Sequence, residues 1–198
     1  MARPAEFDRN EVLDKAMEVF WRTGFTGTSV TDLVKATSLK PGSLYGAFQS
    51  KRALFMEVVD TYAQYSLTRV EKCLKESNTP IQAIHSFFSR LHDDITQDEI
   101  GRGCLMVNTM LELATEDDEI REKITEYLSE VEKIFADTLT HAQELGELEA
   151  DRDPASIAKF LMTGVWGLRV LSSTRPSPEV YQNVINNMLT ILPPVMKH

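Results

Sequence analysis

Cysteine is nearly absent from this sequence. Cys73 and Cys104 stand thirty-one positions apart, a separation that provides neither a disulfide framework nor a zinc-binding spacing, so both are expected to be reduced thiols. No apolar run approaches the roughly 18 residues that a membrane helix requires. The opening Met-Ala-Arg-Pro-Ala-Glu carries no apolar stretch of the kind that directs export. A cytoplasmic protein without membrane contact is expected. Glycine and proline, nine and eight among 198 residues, nowhere form a low-complexity tail or an internal repeat. Also missing is any sustained period-two alternation bounded by turn residues, which argues against β-sheet.

What is present is the composition of an ordinary globular chain, 42% hydrophobic and 26% charged with both signs interspersed. The length suits a small module attached to a larger one. A net charge of −9 disfavours non-specific nucleic-acid binding, yet the charge is unevenly spread. Residues 1–52 hold eight Lys/Arg and six Asp/Glu, whereas the remainder holds thirteen and twenty-four. A phosphate-binding surface therefore belongs at the N-terminal end.

Apolar residues recur at intervals of three and four throughout, so the fold class is all-α. Asp8 is placed to cap a first helix with Glu11 three residues later, and Val12, Ala16, Val19 and Phe20 form one stripe that ends at Gly24. Thr28 opens a short second helix, and a third starts around Lys40-Pro41, where proline suits the first turn. Ser50 is placed to cap a connector from Lys51 to about Glu76, about 39 Å long at ~1.5 Å per residue. Further starts are read at Thr79-Pro80, with Gln82 completing a capping box, and at Asp153-Pro154 and Ser177-Pro178. The acidic run Glu116-Asp117-Asp118-Glu119 precedes a long periodic stretch and complements its N-terminus. The predicted architecture is a three-helix head at 1–50 and a larger helical domain at 51–198, about nine helices in all.

The segment from Thr28 to Leu54 has helix-turn-helix logic. Val30, Leu33 and Val34 give its first helix an inward face, Leu39 sits in the turn, and Leu44 with Phe48 at i,i+4 holds the next helix down. The opposite face is left free. Gly24-Phe25, Thr28, Leu44-Tyr45, Phe48, Lys51 and Leu54 follow the order and spacing of the TetR/AcrR-like regulators, which this quarter of the chain closely resembles. Ser38 stands where that family often has a turn glycine, Lys40 where a capping Ser or Thr is common, and Gly46-Ala47 replaces a frequent His-containing pair. Positions 40–47 are short of bidentate base readers, so operator specificity is expected to lean on DNA shape.

The resemblance implies a DNA-binding transcriptional regulator, a repressor by family default, gripping double-stranded operator DNA as a homodimer and released by a small-molecule effector. Under that reading Thr28 and the N-terminus of the second helix hold a phosphate. Lys40, Pro41, Gly42, Ser43 and Tyr45 face the groove or its rim. Lys51 and Gln49 meet the DNA backbone, and Arg3 reaches an adjacent groove from an N-terminal arm. Tyr45 packing on the connector, Thr28 acting only as a cap and Lys51 as a solvated charge are the structural alternatives.

In this family the last two long helices dimerise and the C-terminal domain encloses a ligand pocket. Phe160, Val165, Leu168, Tyr181, Val184 and Met188 are the expected dimer residues. Gly164 and Gly167 leave room for another helix, within the subunit or across the dimer. Candidates for the pocket are Phe88, Leu91, Cys104, Met106, Met110, Phe135, Met162 and Trp166, each with plain core packing as the alternative. Cys104, following Gly103 at a helix start, is read either as a buried inert thiol or as a thiol-based electrophile or redox sensor.

Two other classes compete. An enzyme would need more than His85 and His92, which sit two helical turns apart beside Asp93 and Asp94, with no nucleophile or phosphate loop. Neither a metal nor another cofactor is expected. A helical protein-interaction adaptor is compatible with the small basic excess of the head; steep salt dependence of binding would separate DNA from an apolar protein partner.

Overall fold

The computed structural model describes residues 7–194. Among them are nine α-helices, a 3-10 turn and no strand. The head comprises α1 (Arg9–Gly27), α2 (Val30–Thr37) and α3 (Pro41–Phe48). The long α4 (Lys51–Lys75) leads into α5 (Pro80–Thr96), α6 (Leu105–Leu113), α7 (Asp118–Glu144), α8 (Pro154–Leu171) and α9 (Pro178–Leu189).

Most helix starts follow from capping chemistry written in the sequence. Asp8, Ser50, Thr79, Asp117 and Asp153 each accept a hydrogen bond from a backbone N–H of the turn they open, satisfying donors that a helix N-terminus leaves unpaired. Thr79 accepts from Gln82, although the reciprocal bond from the Gln82 side chain is not formed among the described residues. The second helix departs from expectation. Ser29 is its N-cap, in a capping box with Asp32, and Thr28 lies one residue outside.

A single apolar cluster runs from Val12 and Phe20 in the head through Leu54, Phe55 and Val58 of α4 to Phe88, Phe135 and Leu161. Phe20 and Phe25 both meet the Phe55 ring at 4.9 Å, joining α1 to α4 at the connector's first turns. Each such aromatic contributes about 1.5–3 kcal/mol by leaving water. Further along, α7 packs on α8, and α5 on both α7 and α9. Gly164 permits the close approach of α8 and α9, because a Cβ there would overlap the Met188 side chain. Gly167 faces open space.

Candidate nucleic-acid interface and internal cavity

On α3, burial and exposure separate cleanly by face. Leu44 and Phe48 are buried, while Lys40, Pro41, Gly42, Ser43 and Gly46 are exposed and Tyr45 is 41% exposed. The helix is anchored from behind by Arg9, which donates to the Ala47 carbonyl at 3.1 Å, stacks over the Phe48 ring at 4.2 Å and pairs with Glu57 of α4. Small side chains at Gly42, Ser43, Gly46 and Ala47 leave the outward side of α3 low in relief. Tyr45 projects from it, so the helix presents one large amphipathic side chain between backbone-rich flanks.

Two residues expected at phosphates are committed elsewhere. Thr28 is 2% exposed, and its hydroxyl donates to the Gly24 carbonyl at 2.6 Å and lies 2.7 Å from the Thr23 hydroxyl. Having lost the cap position to Ser29, it closes the turn after α1. The Lys51 ammonium donates to the Phe25 and Thr28 carbonyls at 2.8 and 2.9 Å and stacks over the Phe25 ring. It thereby satisfies carbonyls that the end of α1 leaves open. Gln49 is exposed at the C-cap of α3 with φ 64°. Arg3 lies outside the described residues.

The helix-turn-helix corner itself is strained. Ser38 adopts φ 59°, ψ 15°, a left-handed conformation that glycine accepts without penalty and serine does not. This is the position at which the resemblance leads one to expect glycine.

A seam of polar contacts ties the head to the larger domain. Glu112, near the end of α6, accepts from the Phe25 and Thr26 amides at 3.0 and 2.7 Å. Those amides are exposed by the break at Gly24, where φ 72°, ψ 175° interrupts the helix, and a Cβ on Gly24 would come within 2.6 Å of the same carboxylate. On the other side, Arg52 of α4 pairs with Asp117 and Glu119 at the N-terminus of α7. The guanidinium holds the Asp117 carboxyl below its ordinary range, and the acidic run serves both as helix cap and as ion-pair partner. Arg102 completes the seam, pairing with Glu18 and stacking on Trp21.

Behind this seam lies a cavity of about 660 Å³ bounded by α1, α4, α5, α7 and α8, within the size range of small-molecule sites. Leu91, Cys104, Met162 and Trp166 line it as expected. Phe88, Met106 and Phe135 do not; all three are fully buried core, and Met110 packs against that core from its edge. The wall also includes Trp21, Tyr62, Ser66, Arg69, Tyr127 and Arg169, none of them among the pocket candidates read from the sequence. They come from four helices, and nothing in their local spacing marks them. Cys104 is buried, with the Tyr62 hydroxyl donating to its sulfur at 3.5 Å.

The histidines form no constellation. His92 lies 3.3 Å from the neighbouring Asp93, His85 is half-buried with Nε2 unpaired among the described residues, and no group of three or more His, Cys, Asp or Glu there is placed to hold a metal ion. No helix among the described residues is long and apolar enough to cross a membrane.

Residues 12–58 match the model for bacterial regulatory proteins of the tetR family, and residues 80–188 match the tetracyclin repressor-like C-terminal domain. The chain belongs to the TetR family. Among its relatives, the transcriptional repressor ComR of Escherichia coli is 28% identical over 98% of this chain and 93% of its own length. A TetR-family regulator named CifR, solved as a cysteine mutant complexed with 26 bp double-strand operator DNA, is 30% identical with TM-score 0.87, covering 96% of this chain and all of that one. Reduced NemR of E. coli shares the fold at TM-score 0.85 and 20% identity.

As a TetR-family protein, this chain is a transcriptional regulator, and the family is not an enzyme family. Its helical C-terminal domain places the residues expected at a dimer contact in two groups. Phe160 is 50% exposed and Val184 half-buried, whereas Val165, Leu168, Tyr181 and Met188 are buried within the subunit. Those four belong to the inner stripes of α8 and α9, where apolar periodicity reports the core and not the partner-facing side. Phe160, Val170 and Val180 are the exposed large apolar residues of these two helices.

Proposed function

We propose that this TetR-family chain is a repressor that binds a palindromic operator as a homodimer, with α3 in the major groove, and that a small molecule filling the cavity releases it. The reading treats residues 1–50 as the DNA-reading head and 51–198 as the effector and dimer domain. The observation that carries it is the two-faced α3, whose buried Leu44–Phe48 side fixes an exposed Lys40–Tyr45 side on the same α4 that lines the cavity. Tyr45, Lys40 and Ser43 with the first turn of α3 are the DNA-facing set. Support also comes from the operator complex of CifR and from the name of ComR as a transcriptional repressor.

The exposed Phe160, Val170 and Val180 supply an apolar surface for a four-helix dimer contact. Two-fold pairing then sets half-sites about one turn of DNA apart, or further when two dimers bind. Effector release works through the seam. Cys104 is the N-cap of α6 at the cavity and Glu112 holds the head near its other end, so a ligand that moves α4 and α6 shifts the separation of the two heads.

A gel-shift titration against DNA flanking the protein's own gene, with light scattering for the oligomeric state, tests this reading. Tyr45→Ala is expected to weaken operator binding about tenfold, and Lys40→Ala to reduce the salt dependence by about one counterion. A monomer in solution, or indifference to all such DNA at low salt, refutes it. A second reading rests on the position of Cys104 in the cavity wall: a covalent electrophile sensor. Alkylation that leaves operator affinity unchanged removes it.

A further inference from the structure

The cavity wall carries four cations, Arg69, Lys72, Arg90 and Arg169, against two carboxylates, Glu76 and Asp94. Each carboxylate is shared. Glu76 pairs with Arg90 at 2.8 Å and with Lys72 at 3.8 Å, while Asp94 pairs with Arg69 at 2.7 Å and with Arg169 at 3.8 Å. One positive charge is thus in excess at each site, in a chain whose net charge is −9.

The two excess charges differ in surroundings. The Lys72 side chain is 74% exposed and solvated, whereas that of Arg169 is 23% exposed. Among the described residues the Arg169 guanidinium donates no hydrogen bond, and its one ion pair is the long one to a carboxylate already held closer by Arg69. A guanidinium has five N–H donors, and withdrawing it from water without a matched anion is unfavourable.

Its neighbours are also donors. The charge of Arg169 acts on both the Tyr62 and Tyr127 hydroxyls, yet burial dominates, pushing Tyr127 up to about 12 and Tyr62 well above its usual range. Both phenols therefore stay protonated at neutral pH. Tyr127 shares a 2.6 Å hydrogen bond with Ser66, and among the described residues the Tyr62 hydroxyl has only the weakly accepting Cys104 sulfur. The same wall carries the apolar side chains of Leu91, Leu128, Val131, Met162 and Val165.

We propose that the cavity binds an amphipathic organic monoanion, a carboxylate with an aromatic or aliphatic body, its head group seated on Arg169 and the Tyr62 and Tyr127 hydroxyls. The inference rests on reading the cavity as the effector site. A single under-compensated guanidinium balances one negative charge, which favours a carboxylate over a phosphate dianion, and an ammonium head would meet repulsion. The apolar wall supplies affinity for the body through its removal from water.

Trp21 and Trp166, the two tryptophans of the chain, both line the cavity, so indole fluorescence of the full-length protein reads occupancy. Decanoate and phenylbutyrate are titrated beside the primary amides and amines of the same skeletons. The carboxylates are expected to bind about tenfold or more tighter than the amides, the size of one charge-assisted hydrogen bond, with the amines weakest. Arg169→Gln should lower carboxylate affinity to that of the amide and leave the amide unchanged, Arg169→Lys should keep most of the preference, and Lys72→Gln should keep nearly all of it.

Amides or amines binding the wild type as tightly as the carboxylates, no binding by either skeleton, or a preference that survives Arg169→Gln would each overturn the proposal. The wild-type ranking decides alone if a variant fails to fold. Operator release, followed in parallel, separates the two readings. Carboxylates that bind without releasing operator keep the ligand class and remove the effector role; an amide or amine that binds preferentially and releases operator does the reverse.

Discussion

The head and the larger domain solve opposite problems with the same kind of helix. In the head, the eight-residue helices α2 and α3 press Leu33, Leu44 and Phe48 inward and leave an outer face whose relief is nearly flat around Tyr45. In the larger domain, helices border a cavity whose wall includes the largely withdrawn Arg169 guanidinium and the phenols of Tyr62 and Tyr127. A surface made for another macromolecule needs exposed groups on a rigid backing. A site made for a small molecule needs polar groups withdrawn from water and under-satisfied until occupied. The seam through Glu112 and Arg52 ties the two together.

Gly24→Ala attacks that seam most strongly. The conformation at φ 72°, ψ 175° is one that residues with a Cβ hardly adopt, and the new methyl would displace the Glu112 carboxylate. A loss of about 3 kcal/mol in urea unfolding is expected, with strain and two lost hydrogen bonds combined. Should stability be unchanged, the turn is not where head and domain are joined.

Glu112→Gln is milder, since the amide oxygen still accepts but the charge is gone. About 1 kcal/mol is expected, together with faster hydrogen exchange at the Phe25 and Thr26 amides. If exchange there is unaffected, α6 does not restrain the head.

Ser38→Gly tests the head alone, in the opposite direction. Relief of the left-handed conformation should raise stability by up to about 1 kcal/mol and raise the melting temperature without altering the larger domain. A decrease would show that the serine side chain makes a stabilising contact which outweighs its strain.

The smallest effect belongs to the larger domain, at His85 of α5, beside Pro193. Burial lowers its pKa below the ordinary 6.5, opposed by a hydrogen bond to the Pro193 backbone. The unfolded chain therefore binds the proton first, so stability is complete above about 6.5 and declines as the pH falls from there toward the lowered folded value. His85→Gln should flatten that decline, measurable as a smaller drop in melting temperature between neutral and mildly acidic buffer. An unchanged slope would locate the acid sensitivity elsewhere.

Helix starts were legible in the sequence because a cap and its N–H partner lie within three residues, as at Asp8, Ser50, Thr79 and Asp153. The inward face of α3 was legible for the same reason, through Leu44 and Phe48. Thr28 and Lys51 read as surface groups in the sequence because the carbonyls they serve, those of Gly24 and of Phe25 and Thr28, are left open by the kink at Gly24 and the end of α1, which local spacing does not reveal. Apolar residues of α8 and α9 were read as a partner surface, yet an amphipathic stripe does not say whether it faces its own core or another chain. Val165 and Tyr181 face their own.

The sequence by itself determined the all-helical architecture and the family's reading head, since both depend on spacings of three and four residues along one chain. Tertiary structure alone decided which side chains surround the cavity and how the head is held. Arg169, Tyr62 and Tyr127 stand far apart in the chain, as do Glu112 and Phe25. Only the packing of α1, α4, α6, α7 and α8 brings their charges and donors within reach of one another.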